Sequence, residues 1–145
     1  MTRLLRELLR EKPIVLSLVG IVDRALVGHV IFTTCSIAGR PDKVSLLGPL
    51  VVASASQRRG IGSALVREGL QRLESAGPIQ VYVLGDPAYY ERVGFEPEAG
   101  VTPPYSLPEE WRRAWQSVSL HNTEQPPYGK LSVPQPWLQP ALWAP

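Results

Sequence analysis

Gln57-Arg58-Arg59-Gly60-Ile61-Gly62-Ser63 stands between a strand-like and a helix-like segment. Ahead of it runs an apolar stretch, Leu46 to Ala53; behind it, Ile61 to Ala76 carries helical spacing. A strand that turns through glycines into a helix leaves successive backbone N–H groups at the helix N-terminus without intrahelical partners. The helix dipole adds about half a positive charge there. Such a turn suits a phosphate or pyrophosphate. Gly60 and Gly62 have no Cβ, so a ligand can approach the backbone closely. Arg58 and Arg59 add charge.

Two other phosphate loops do not fit. GxxxxGK[ST] needs a Lys after its second Gly, and GxGxxG needs a third Gly three residues on. Neither is present. Downstream, Val81-Tyr82-Val83-Leu84-Gly85-Asp86-Pro87-Ala88-Tyr89-Tyr90-Glu91-Arg92-Val93-Gly94-Phe95 reads as strand, turn, short helix, then Gly-Phe into another strand.

The loop resembles the Q/R-x-x-G-x-G/A pyrophosphate loop of GNAT-type N-acetyltransferases, with Gln57, Gly60 and Gly62 on the pattern positions. The downstream segment resembles the (F/Y)-Y-x-x-x-G-F segment of the same superfamily, with the Gly85-Asp86-Pro87 opening common in its YhbS-like branch. The two stand in the right order, and the resemblance spans about Ile14 to Phe95. It implies a GNAT-like α/β fold: a mixed, mostly antiparallel sheet, with a central splayed parallel strand pair flanked by helices.

Composition sets outer bounds. A chain of 145 residues is one domain by default, with 44% apolar and 19% charged residues. A net charge of +2 is too small to argue for nucleic acid or a membrane surface. No apolar run approaches the roughly 20 residues that span a bilayer. Residues 2–11 read as an amphipathic helix, with Leu4, Leu5, Leu8 and Leu9 on one side, ending before Pro13. A mitochondrial presequence is the rival reading, disfavoured by Glu7 and Glu11. The one cysteine, Cys35, excludes an internal disulfide and a Cys-based metal cluster, and reads as a small core residue of a cytoplasmic protein.

Ile14–Val22 and Leu26–Ile37 read as an antiparallel pair joined at Asp23-Arg24-Ala25. Val44–Ala53 is the next strand, broken by Gly48-Pro49, where a bulge or an edge is expected. The helix from about Gly60 to Ala76 stops at Gly77-Pro78 and leads to a strand at Ile79–Leu84, a βαβ unit with parallel strands. Pro87 opens a short helix. Nine of the fifteen prolines follow Gly100. One helical turn is expected within 107–115 and a last strand at Gln116–His121. Residues 1–121 are expected to form one domain and 122–145 a Pro/Trp-rich tail. Compared with the resembled family, a first strand and first helix are absent, and the helix at 2–11 reads as a remnant of the second.

What the resemblance implies chemically is acetyl transfer from acetyl-CoA, as cosubstrate, to an amine, of a small molecule or of a peptide, by direct attack on the thioester. Gln57, Arg58, Arg59, Gly60, Ile61, Gly62 and Ser63 would hold the cofactor. A backbone N–H near Leu50, Val51 and Val52 would polarise the thioester carbonyl. Tyr90, five residues before Phe95, would protonate the leaving thiolate. The base stays open among Asp86, Glu91 and His29; Asp86 is equally a helix cap, and His29 reads rather as a plain strand residue facing solvent or a neighbour. Two rivals remain: a catalytically idle remnant that binds CoA, and a nucleotide-binding module of another family. An uncovered sheet edge points to a homodimer.

Overall fold

Asp23 and Arg24 both adopt left-handed φ, 50° and 66°. That is the geometry of a two-residue hairpin turn whose twist matches the flanking strands. The expected three-residue connection is thus one residue shorter, and Ala25 pairs with Val22. The turn joins β1 (Val15–Val22) to β2 (Ala25–Ile37). The computed structural model describes residues 2–10, 15–121 and 125–143. Glu11 of the expected first helix, Ile14 of the expected first strand, and residues 122–124 and 144–145 of the expected tail lie outside them.

β2 pairs antiparallel with β3 (Lys43–Val52). The register shifts between Val30 and Phe32, where Gly48 and Pro49 oppose the single residue Ile31. Gly48-Pro49 therefore marks a bulge inside a continuous strand rather than a break. α2 (Ile61–Glu74) crosses over to β4 (Gln80–Leu84), which is parallel to β3. α3 (Pro87–Glu91) follows, capped by Asp86, whose carboxylate accepts from Ala88 N–H at 3.0 Å. The short β5 (Glu96–Pro97) pairs with β7 (Trp115–Ser119), and β7 pairs antiparallel with β4. A 3-10 helix at Glu109–Ala114 fills the expected helical turn.

Beyond the expected last strand lies another. β8 (Gly129–Ser132) pairs with β2 at Ser36 and Ile37, the stretch that β1 leaves uncovered, and with β6 (Val101–Thr102) on its far side. The sheet order is β5-β7-β4-β3-β2-β8-β6, with β1 also on β2. The sheet is mixed and mostly antiparallel, with the parallel β3–β4 pair near its middle, as expected, and a second parallel pair, β6–β8, at one edge.

Two apolar layers cover the sheet. On one face α2 and α3 pack Leu65, Val66, Leu73 and Tyr90 against Val30, Phe32, Val81 and Phe95. Gly69 is required there, because a Cβ would run into the Phe32 ring. On the other face α1 (Thr2–Arg10) contributes Leu4 and Leu8, which meet Trp115, Trp137 and Trp143 over Ile31, Leu46 and Tyr82. The Pro-rich C-terminal segment thus supplies two of the rings of that layer.

Candidate active site

β3 and β4 pair only at Ser45–Val81 and Leu46–Tyr82. Beyond those residues the two strands part. Ala53 N–H donates to Val27 O at 2.8 Å, so on this side of the bulge odd-numbered amides face β2. By the alternation of an antiparallel ladder, the N–H groups of Leu50 and Val52 turn the other way, toward the gap. They are donors aimed where β4 no longer reaches.

The loop leaves β3 at this gap. A 3-10 turn at Ser54–Ser56 is followed by extended Gln57, and the Gln57 amide donates to Val52 O at 3.1 Å. Gln57 therefore ties the loop to the end of β3. Arg58 has φ 65° and Gly60 φ 78°, two left-handed residues that swing the chain into α2. Gly60 is the N-cap, and no side chain caps the helix. The first-turn amides of Ile61, Gly62 and Ser63 are left for a ligand. A Cβ on Gly60 would meet nothing within 4 Å, so the space above the loop is open. Arg58 and Arg59 are exposed beside it.

α3 places two phenols on the α2 face of the sheet, near the end of β4. Tyr90 is 8% exposed; its ring packs edge-on against Phe95 at 5.5 Å and lies over Gly85, at the end of β4. Burial, followed by the Tyr89 hydroxyl, raises its pKa above the ordinary value near 10. Tyr89 is half-buried, and its hydroxyl abuts Gly62 beside Val52. The sequence reading singled out Tyr90 alone; that Tyr89 touches the loop follows from two adjacent helical residues turning to different sides.

The opposite face of the sheet carries other groups. Thr33 and Ile31 belong to the tryptophan layer, so His29, on the same strand with the same parity, points that way too. His29 pairs with Val51 across the ladder and shares a 2.6 Å hydrogen bond with Ser17 Oγ through Nε2. Burial lowers its pKa below 6.5. Asp86 serves as the α3 cap, and Cys35 is a buried thiol pushed up to about 12. On this face, beside Trp115 of β7, a cavity of about 850 Å³ lies under residues 97–113. Its residues escaped the sequence reading because the segment reads as Pro-rich loop without periodicity.

A family model described as an acetyltransferase (GNAT) domain matches residues 16–97. The chain belongs to the GNAT family. Among GNAT relatives, the uncharacterized N-acetyltransferase YjhQ of Escherichia coli K12 is 39% identical over 116 residues, 77% of this chain and 63% of that protein. YhbS of the same strain is 34% identical over 95 residues, 65% of this chain and 57% of it. The chain thus spans less than two thirds of either relative. The crystal structure of E. coli YhbS in complex with CoA superposes with a TM-score of 0.81 at 28% identity, over 94% of this chain and 77% of that one. A GNAT acetyltransferase from Brucella melitensis in complex with acetyl-CoA gives 0.73 at 30% identity, over 92% and 75%. Among the described residues no helix is long and apolar enough to cross a membrane.

Proposed function

We propose that this GNAT chain moves an acetyl group from acetyl-CoA to an amine. The observation that carries the reading is the coincidence of the β3–β4 gap with an uncapped helix N-terminus at its mouth. The amides of Gly60 to Ser63, with Arg58 and Arg59, take the pyrophosphate. Gln57 holds the loop against Val52, and Ile61 and Gly62 open the helix below it. Along Leu50, Val51 and Val52, the outward N–H groups of the two even-numbered residues donate hydrogen bonds to the thioester carbonyl. One such donor is worth about 10²–10³ in rate.

The amine nitrogen attacks the carbonyl carbon and the C–S bond breaks. Tyr90, kept protonated by burial, gives its proton to the departing thiolate. His29, kept neutral by burial and standing on the face from which the amine arrives, takes the proton that the amine sheds. A cytoplasmic setting belongs to the same proposal, with Cys35 buried and free. So does a homodimer joined along the outer edge of β1, where Val19 and Ile21 are exposed; a monomer by light scattering rules the dimer out.

The test is a calorimetric titration with acetyl-CoA, with Gly60→Glu as control. Micromolar binding that the Gly60→Glu substitution abolishes is the expected result. Absence of binding by the folded chain overturns the proposal. Among amines that turn over, Tyr90→Phe should lower kcat about 10²–10⁴-fold with little change in acetyl-CoA affinity.

A further inference from the structure

We propose that the cavity under residues 97–113 receives the acceptor, and that this acceptor is an amine carrying an anionic group on an apolar body. The proposal rests on the acyl-transfer reading above. At about 850 Å³ the cavity is of small-molecule size. It lies one strand over from the gap, since β7 pairs with β4 on the side away from β3. Trp115, in its wall, pairs with Leu84, the last residue of β4, and Gly85 N–H donates to Ala114 O at 2.9 Å. Trp115 stacks on Tyr82 at 5.5 Å, on the sheet face turned away from α2. A molecule in the cavity therefore lies on the sheet face opposite the pyrophosphate loop, the face that carries His29.

The body of the ligand follows from the apolar walls. Trp115, Tyr105 and Leu107 offer flat and branched apolar surface, stiffened by prolines 103, 104 and 108. Its charge follows from which ionisable groups in the wall are engaged. Glu98 accepts four hydrogen bonds: from Gln80 at 3.2 Å, Ser117 at 2.6 Å, Gly100 N–H at 2.8 Å and Val101 N–H at 2.7 Å. Its carboxylate is consumed by the fold. Glu109 is paired with Arg112 at 3.5 Å. That leaves Arg113 and Lys130, which have no ion-pair partner among the described residues. Two unpaired cations repel a ligand whose only charge is an aminium and favour the neutral, attacking form of an amine. A carboxylate or phosphate on the same ligand gives both cations a partner.

Binding can be read without turnover. N-acetyltryptophan and its uncharged analogue N-acetyltryptamine are titrated into the intact chain and into the Lys130→Gln/Arg113→Gln variant. The acid should bind about tenfold tighter or more to the intact chain. The preference should vanish in the variant, with acetyl-CoA affinity unchanged. Equal affinity for the two ligands, or a preference that survives the double substitution, overturns the proposal. Transfer is then compared for tryptophan against tryptamine and for phosphoethanolamine against ethanolamine; the pair with the larger kcat/KM ratio tells carboxylate from phosphate. Faster transfer to the uncharged member of both pairs overturns the anionic acceptor but leaves acyl transfer intact. No CoA release with any amine overturns both.

Discussion

The indole N–H of Trp137 donates to the hydroxyl of Thr33 over 3.2 Å, joining residues 104 positions apart in the chain. Thr33 is fully buried in β2, and the Trp137 ring lies over Gly48 at the β3 bulge, where a Cβ would sit 2.9 Å away. Trp137→Ala should cost about 3–5 kcal/mol of stability by urea unfolding. Thr33→Val, which strands a buried N–H, should cost about 1–3 kcal/mol. A Trp137→Ala loss below about 1 kcal/mol would mean that the segment does not pack in solution.

Gly62 has no room for a side chain because the Tyr89 hydroxyl abuts it. Gly62→Ala should therefore weaken acetyl-CoA binding by moving Tyr89 or the loop. Tyr89→Phe removes the obstructing oxygen, so the same alanine should cost less in that background. A double-mutant cycle by calorimetry reads the coupling, expected at about 0.5–3 kcal/mol. Strict additivity would show that the two residues do not touch.

The depressed pKa of His29 gives stability a direction with pH. Below 6.5 the unfolded chain takes up protons that the folded chain resists. The contribution is present above 6.5 and is lost as pH falls through the lower folded value. The thermal midpoint should drop from pH 7 to pH 5, and His29→Gln should flatten that drop. The same variant should lower kcat/KM and remove an acid limb lying below 6.5. An unchanged pH–rate profile would rule His29 out as the proton acceptor.

Tyr82 is buried in β4 with a hydroxyl that finds no hydrogen-bond partner among the described residues. Burial raises its pKa first, and the Glu98 charge adds to this. Tyr82→Phe keeps the stack on Trp115 and deletes the orphan, so stability should hold or rise by about 1 kcal/mol. A clear loss in a denaturant titration would reveal a bond to the hydroxyl.

The half of the fold from β1 to α3 was legible because its signals are local. Alternating and apolar runs mark the strands, Asp86-Pro87 starts a helix, and Gly60 and Gly62 mark a turn into another. The pairing of β3 with β4 followed from the crossover rule. What stayed illegible depends on partners far away in the chain. β8 is four residues of weak pattern whose strand state comes from the lower edge of β2. Trp137 and Trp143 sit among prolines, and only the opposite face of the sheet explains their burial. For the candidate site, the loop was marked by its glycines, and Tyr90 was named only through the family resemblance. His29 was visible but unassignable, since only the register with Val51 places it across β3 from the gap. Arg113 and Lys130 carry no pattern at all.

The tryptophan layer joins Leu4 and Leu8 of the first helix to Trp143 near the far end of the chain. The α2 face is composed of residues no later than Leu120. On a ribosome, the α2 face can therefore condense while the other face of the same sheet is still only partly covered. That face closes only once Trp143 has left the exit tunnel. Until then that face lacks the Trp137 and Trp143 rings, and the nascent chain carries a partly covered apolar sheet surface suited to holding by a chaperone.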